Sequence, residues 1–274
     1  MFNENLKWFF PSTISLAVRL IGQPGVILHG GGTRILKTQS RSIIGLVDVG
    51  KLKLNYIKYK NNLAHIGAAA TFSDVVKYSK DNNCLLMLGA ALSQAASTPL
   101  RNRITIGGSL KDFPQWSNLI APLISLDAKI EINNGKTKIM SVEDYISEGT
   151  IKTKHLIKEI IVPEDESLFW RVKRFALLKF EYPIFNIALS LKMDNNIIKD
   201  ARFVITGVKS RYKRFIKAEN VIKGKILSEG LIKQCMKYID PKFVSDYKYS
   251  DSYKTKAAII TIEDLLTELA VEKQ

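Results

Sequence analysis

Two glycine-rich turns, roughly 75 residues apart, constrain the fold of this 274-residue chain more than any other feature. Gly30-Gly31-Gly32-Thr33 follows the apolar run 26–28, and Gly107-Gly108-Ser109 follows the β-branched run 104–106. Glycine adopts positive φ and carries no side chain, so backbone N–H groups can converge on an anion. One such turn is usually structural. Two of them, each ending a predicted strand, indicate a cleft that holds a diphosphate from two sides.

The familiar phosphate, metal and catalytic motifs are missing from the sequence. Neither turn ends in the Gly-Lys-Ser/Thr of the NTPase phosphate loop, and neither has the spacing of the dinucleotide fingerprint. Cys84 and Cys235 are too few for a disulfide framework and form no C-x-x-C. His29, His65 and His155 have no cysteine or carboxylate at ligand spacing and are interpreted as structural. We assign no catalytic residue and no metal ligand.

Hairpin and capping signals divide the rest of the chain into short elements. Thr71-Phe72-Ser73-Asp74 has the pattern of a capping box and predicts the start of a helix. Asparagine-rich turns at 60–62 and 194–196 join predicted strands. The polar stretch 163–166 is suited to a domain boundary. The sequence therefore predicts a mixed α/β amino-terminal part and an α+β carboxy-terminal part that meet near residue 165.

The chain is strongly basic, with 41 Lys and Arg against 26 Asp and Glu and a net charge of +15. The densest cluster, 209–217, interleaves basic residues with Tyr212 and Phe215, and we interpret it as a solvated loop and helix face. A nucleic-acid-binding protein is an alternative that depends on this charge alone. No segment approaches the roughly 18 apolar residues of a membrane span. We expect a cytoplasmic protein that binds neither nucleic acid nor a membrane.

Several segments resemble one known family. The stretch 8–34 resembles the start of the flavoprotein subunit of the molybdenum hydroxylases, which include xanthine dehydrogenase and carbon monoxide dehydrogenase. The family's A-G-G-T-(D/N) loop corresponds to Gly30-Gly31-Gly32-Thr33-Arg34. Its (P/Q)-x-R-N-x-(A/G)-T-(I/L)-G-G-(N/S)-L block corresponds to 99–110. The resemblance extends over nearly the whole chain through similar motifs at 46–49, 65–68 and 246–254.

The resemblance implies an α+β fold with two domains. The first, 1–165, is a PCMH-type FAD-binding domain with subdomains at about 1–52 and 53–165. The second, 166–274, is an α+β domain with a small antiparallel sheet and helices, like that of the carbon monoxide dehydrogenase flavoprotein. Family members bind FAD between the two amino-terminal subdomains. They pass electrons from an iron–sulfur subunit, which a molybdenum-cofactor subunit feeds, to NAD or another acceptor.

The same resemblance implies which residues contact the FAD. The first turn, from Gly30 to Arg34, is expected at the pyrophosphate, and the second turn forms the opposite wall. An apolar side chain on the flavin, a lysine near the cofactor and a group at the ribityl chain complete the expected set. In this sequence the predicted cofactor-binding residues are Gly30, Gly31, Gly32, Thr33, Arg34, Thr105, Gly107, Gly108, Ser109, Asn118, Ile157 and Lys173.

Three positions depart from the family pattern. Arg34 replaces an Asp or Asn, Pro114 replaces a polar residue, and Asn118 replaces an Asp that accepts hydrogen bonds from the ribityl chain. From the sequence, we expect Asn118→Asp, which restores the carboxylate, to bind FAD more tightly by about 1 kcal/mol, because hydrogen bonds to charged groups are stronger. The departures also motivate an alternative function, a flavin-free scaffold that only docks partner chains.

Overall fold

The computed structural model describes residues 4–38, 40–149 and 152–271. These residues form two compact units. In the part of the chain described, no helix is both long enough and apolar enough to cross a membrane. Unit 1 contains the described residues of Met1–Leu85, Ser97–Asp112 and Asp127–Glu164, and unit 2 those of Leu86–Ala96, Phe113–Leu126 and Asp165–Gln274.

Unit 1 begins with a small parallel sheet whose strands lie in the order β1-β3-β2. Its elements are β1 (Lys7–Phe9), α1 (Ile14–Ile21), β2 (Val26–His29), α2 (Ile35–Thr38) and β3 (Gly45–Asp48). Thr13 caps α1, since its hydroxyl accepts a hydrogen bond from the Leu16 N–H. The apolar side of α1 packs with Val26 and Val47 in a small core. This core holds β2 in place, and the first glycine turn begins directly after that strand.

The remainder of unit 1 is built on an antiparallel sheet in the order β4-β5-β8-β6-β7. Its strands are β4 (Ile57–Lys60), β5 (Leu63–Gly67), β6 (Lys129–Asn133), β7 (Thr137–Ser141) and β8 (Leu156–Pro163). The predicted capping box is confirmed, because Thr71 and Asp74 exchange side-chain-to-backbone hydrogen bonds. The helices of this part are α3 (Phe72–Tyr78), α5 (Thr98–Arg101), α6 (Ile106–Asp112) and α8 (Val142–Ser147), with 3-10 helices at Gly50–Leu52, Ser79–Asp81 and Asn83–Leu85.

The prediction of a strand at 104–106 that ends in the second glycine turn is wrong, because α6 begins at Ile106. Only Thr105 has a strand-like contact, an isolated bridge to Thr71. The run Ile104-Thr105-Ile106 has high β propensity, but Ile106 and Leu110 lie one helical turn apart and both are completely buried. Tertiary packing of this helical face therefore overrides the local propensity. The second glycine pair lies in the first turn of a helix rather than at the end of a strand.

Unit 2 has one antiparallel sheet in the order β12-β11-β10-β9. Its strands are β9 (Leu168–Phe175), β10 (Phe185–Asp194), β11 (Ile197–Val208) and β12 (Arg211–Arg214). Its helices are α4 (Leu86–Ser93), α7 (Ile120–Ser125), α9 (Ile216–Ile222), α10 (Glu229–Met236) and α11 (Asp251–Val271). The basic cluster supplies β12, where Arg214 forms an ion pair with the buried Glu219 at 2.9 Å. Part of this cluster therefore has a structural role within the unit.

The sequence-based boundary near 165 coincides with the start of the last segment of unit 2. The segments 86–96 and 113–126, which the sequence places in the first domain, belong to unit 2. The apolar composition of their helices accounts for this difference. Both α4 and α7 are apolar nearly all around, so no polar face indicates what they pack against, and both lie on the sheet of unit 2.

Candidate diphosphate-binding site

The first glycine turn presents a row of unpaired backbone donors. It joins the end of β2 to the start of α2, and Gly32 has a left-handed φ of 74°. Within the described residues, the N–H groups of Gly31, Gly32, Thr33 and Arg34 donate to no protein acceptor. Successive free N–H groups around a left-handed residue form an anion-binding concavity. The donors of this loop therefore suit a diphosphate.

The loop lies directly against the segment that leads into α6. A Cβ on Gly31 would lie 1.5 Å from the carbonyl oxygen of Arg103, and a Cβ on Gly30 would lie 3.0 Å from Oγ1 of Thr105. The Arg103 guanidinium donates two hydrogen bonds to the Gly31 carbonyl oxygen, from Nε at 3.2 Å and from Nη2 at 3.1 Å. These contacts clamp the loop with its N–H groups left unpaired. Arg103 was not identified from the sequence.

The second glycine pair lies on the other side of this contact and offers no free backbone N–H group, because both of its N–H groups are already paired. The N–H of Gly107 donates to the Ala68 carbonyl oxygen at 2.8 Å, and that of Gly108 donates to Oγ1 of Thr105 at 3.2 Å. The N–H of Ser109 donates to the Thr105 carbonyl oxygen at 2.9 Å. What remains is the Ser109 hydroxyl, which has no hydrogen-bond partner among the described residues. The missing Cβ of Gly107 allows α6 to pack closely on Ala68.

Arg34 connects the two segments through its side chain. Its Nε lies 2.9 Å from Oδ1 of Asp112, the last residue of α6. The Arg34 side chain is 58% exposed, so this ion pair is well solvated and offsets only part of its charge. The role of Arg34 at the pyrophosphate stays a prediction. Asp112 is a second residue that the sequence did not indicate.

The other predicted residues have structural partners of their own. Ile157 is buried in β8, where it pairs with Ile132. Asn118 and Lys173 belong to unit 2: Lys173 is exposed on β9, whereas Asn118 is buried and donates from Nδ2 to Oδ1 of Asn186 at 3.1 Å. Their contacts with FAD stay predictions.

Other polar side chains of unit 1 are explained by local contacts. His155 is buried with Nε2 2.9 Å from the Tyr145 hydroxyl, and burial together with the nearby Lys111 charge lowers the pKa of His155 to about 4. The Nδ1 of His65 lies 3.0 Å from Oε1 of Glu159. The described residues include no group of three His, Cys, Asp or Glu side chains that is arranged to hold a metal ion.

Comparison with known proteins assigns both parts of the chain. A family model described as "FAD binding domain in molybdopterin dehydrogenase" matches residues 2–165. A second, described as "CO dehydrogenase flavoprotein C-terminal domain", matches residues 172–269. The two matches follow the same order along the chain as the domains expected from the resemblance.

The chain is also similar over most of its length to several known proteins. The glyceraldehyde dehydrogenase medium chain of Sulfolobus acidocaldarius is 24% identical over 252 residues, covering 89% of this chain and 90% of the relative. The nicotinate dehydrogenase FAD-subunit of Eubacterium barkeri is 25% identical over 240 residues, covering 81% of this chain and 80% of the relative. A chain of carbon monoxide dehydrogenase from Hydrogenophaga pseudoflava aligns with a TM-score of 0.89 at 20% identity, covering 97% of this chain and 98% of that one. This structural likeness shows a shared fold.

Proposed function

Because this chain belongs to the family of FAD-binding domains of molybdopterin dehydrogenases, we propose that it holds FAD on loop 30–34 and transfers electrons within a heteromeric molybdenum enzyme. The observation that carries the proposal is the loop itself. Four consecutive residues offer unpaired N–H groups in a turn that has no side chain at its three glycines. This arrangement of backbone donors fits a diphosphate.

The residues of unit 1 would bind and orient the cofactor. The N–H groups of Gly31, Gly32 and Thr33 would donate to the pyrophosphate oxygens, and the Ser109 hydroxyl would add a donor from the opposite wall. Arg103 keeps the loop in its binding conformation through the Gly31 carbonyl. When bound, FAD supplies a ring that accepts electrons and passes them on.

The partners of the chain are an iron–sulfur subunit and a molybdenum-cofactor subunit, as the family resemblance implies, and the acceptor is NAD or another oxidant. The relatives are named for different substrates, glyceraldehyde and nicotinate, so the substrate is a property of the partner subunit in this proposal. We place the assembly in the cytoplasm, since Cys84 and Cys235 are both free thiols.

The flavin-free scaffold is the less favoured alternative. A scaffold would have no use for a turn that leaves four consecutive backbone N–H groups without an acceptor among the described residues. The departures at Arg34 and Asn118 leave these backbone donors unchanged. An open anion-binding loop therefore favours a chain that still binds its cofactor.

We expect the FAD to be bound non-covalently. Cysteine is one route to covalent flavin attachment, but both cysteines are buried, and burial together with Glu219 raises the pKa of Cys235 to about 12. Thiols in such surroundings are poor nucleophiles. The purified chain should be yellow, and acid precipitation should release all of its flavin to the supernatant. A colourless protein would support the scaffold, and colour retained in the pellet would show covalent attachment.

Reversing the charge at Arg34 should weaken FAD binding although it restores a family residue. Arg34→Asp removes a cation beside the proposed diphosphate and places a second carboxylate next to Asp112. Since the side chain is largely exposed, we expect a modest increase in Kd, roughly three- to tenfold, that shrinks as salt rises. Arg19→Asp, at an exposed position on α1, is the matched control. Tighter binding by Arg34→Asp would show that Arg34 does not favour the diphosphate.

A further inference from the structure

The loop that joins β9 to β10 in unit 2 exposes a group of neighbouring large side chains. Four of them are between 57% and 66% exposed: Leu177, Leu178, Phe180 and Tyr182. Single exposed apolar residues are common on protein surfaces, whereas several together mark an interaction site. These four residues are called the apolar patch of unit 2.

Contacts within unit 2 hold this loop in a defined conformation. The Arg174 guanidinium donates a hydrogen bond to the Glu181 carbonyl oxygen. The Glu181 carboxylate in turn pairs with Lys248, with 3.2 Å between Oε1 and Nζ. The ring of Tyr182 packs on that of Trp116, with ring centroids 4.3 Å apart. A surface ordered in this way loses little conformational entropy when a partner binds to it.

The patch lies among cations that have no acidic partner. Three of them form no ion pair within the described residues: Lys173, Arg174 and Lys179. The Lys179 ammonium lies 5.7 Å from the centroid of the Phe180 ring, so positive charge adjoins the apolar surface directly. Glu181 is the only acidic residue in the sequence from 168 to 185, and it is already paired. The loop therefore complements an apolar surface that is flanked by carboxylates.

We infer that the apolar patch of unit 2 is the docking surface for a partner subunit that presents apolar side chains beside Asp or Glu carboxylates. The inference rests on the proposed heteromeric assembly and adds where a partner binds. A second copy of this chain fits poorly, because a symmetric contact would set the same cations against each other in chains of net charge +15. An anionic membrane would also attract the cations, but ordered aromatic side chains are typical of the anchors of protein interfaces.

The first test isolates the assembly from its source cells through a tag on the full chain and measures the iron and molybdenum that co-purify per chain. We expect Phe180→Glu to lower both metals by about tenfold or more, because it removes a central apolar contact and sets a carboxylate against an acidic partner. Ile260→Glu is the matched control, since it places the same charge at a 58% exposed apolar position on α11. It should retain the wild-type metal content.

Charge reversal at Lys179 tests the chemistry of the partner. In the same isolation, Lys179→Glu should lower the co-purifying iron and molybdenum by about tenfold at low ionic strength, and its difference from the wild type should shrink as salt rises. Lys256→Glu reverses an exposed cation on α11 and is the matched control. Equal effects of the two variants, or an effect of Lys179→Glu that does not change with salt, would contradict an acidic partner surface.

Unchanged metal content in Phe180→Glu would overturn the inference and leave the proposed function intact. A wild-type chain that carries neither iron nor molybdenum would instead contradict the proposed heteromeric assembly. The full chain alone is also tested by FAD titration, by sedimentation and with vesicles of phosphatidylcholine and phosphatidylserine. If Phe180→Glu abolishes FAD binding, a homodimer or vesicle binding there, the patch belongs to the cofactor, a second copy or a membrane, and the inference is wrong. Circular dichroism shows whether each variant is folded.

Discussion

Replacing Gly31 with alanine should weaken FAD binding by about 100-fold or more. The new Cβ would lie 1.5 Å from the Arg103 carbonyl oxygen, which is backbone and cannot rotate away. The loop would have to retreat until this contact reached at least 3.4 Å, the beginning of ordinary van der Waals distance. That displacement would misalign the free N–H groups, each of which contributes roughly 1.5–3 kcal/mol when it donates to a charged group. Loss of two such bonds accounts for the expected effect.

A graded series of glycine variants separates this steric effect from a general cost of alanine. Gly30→Ala brings its Cβ to 3.0 Å from Oγ1 of Thr105, a side-chain atom that can move, so a smaller loss is expected. Gly230→Ala meets no atom within 4 Å on α10 and should leave FAD binding unchanged. FAD titration of the folded apoproteins ranks the three variants by their Kd. An affinity of Gly31→Ala equal to that of Gly230→Ala would show that the loop does not hold the cofactor.

Arg103 contacts Gly31 through both its side chain and its backbone. Its guanidinium donates to the Gly31 carbonyl oxygen, while its own carbonyl oxygen prevents any side chain at position 31. The loop conformation therefore depends on a contact between residues that are 72 positions apart. This contact explains why a turn of three glycines can be rigid enough to bind an anion despite the conformational freedom of glycine.

The local parts of the fold follow from the sequence because they depend on neighbouring residues. The capping box at Thr71 and the hairpin between β10 and β11 are confirmed, since each is determined by a few adjacent side chains. The first glycine turn was predicted to follow a strand for the same reason, and it follows β2. Short-range chemistry was sufficient in all three cases.

The parts that the sequence did not reveal depend on distant contacts. The helix α6 was predicted as a strand because its burial, rather than its propensity, decides its conformation. The clamp by Arg103 and the ion pair of Arg34 with Asp112 join segments more than 70 residues apart. No local pattern marks either partner. The contact between Nδ1 of His29 and Oδ2 of Asp48 likewise appears only once β2 lies beside β3.

The environment of Asn118 indicates a folding cost that the sequence-based expectation of tighter FAD binding does not include. The Nδ2 of Asn186 lies within 3.3 Å of three oxygens, those of the Trp116 and Ser117 carbonyls and the Thr206 hydroxyl. Turning the Asn186 amide around would place its oxygen against these acceptors, so its Oδ1 must face Asn118. Asn118 is the donor to that oxygen, at 3.1 Å. An aspartate at 118 would place two acceptors against each other in a buried site.

Asn118→Asp should therefore destabilise the protein by about 3 kcal/mol at neutral pH, the cost of a buried carboxylate that faces an acceptor. This cost in folding free energy is larger than the gain of about 1 kcal/mol in FAD-binding free energy that a carboxylate at the ribityl chain would contribute. Burial raises the pKa of such an aspartate above its unfolded value of about 3.9, and the protonated form can still donate to Asn186. The penalty is thus small in acid and grows as pH rises from the unfolded pKa towards the folded one.

Thermal denaturation of the apoproteins at about pH 4.5 and 7.5 tests the sign of this pH dependence. The difference in Tm between the wild type and Asn118→Asp should be larger at the higher pH. Asn118→Ala loses the same hydrogen bond without gaining a charge, so its Tm difference from the wild type should be the same at both values. If Asn118→Asp shows an equal deficit at both, its carboxylate is solvated or faces a donor. The charge of the family's aspartate would then carry no penalty here, and the pairing of Asn118 with Asn186 would not be what keeps an asparagine at this position.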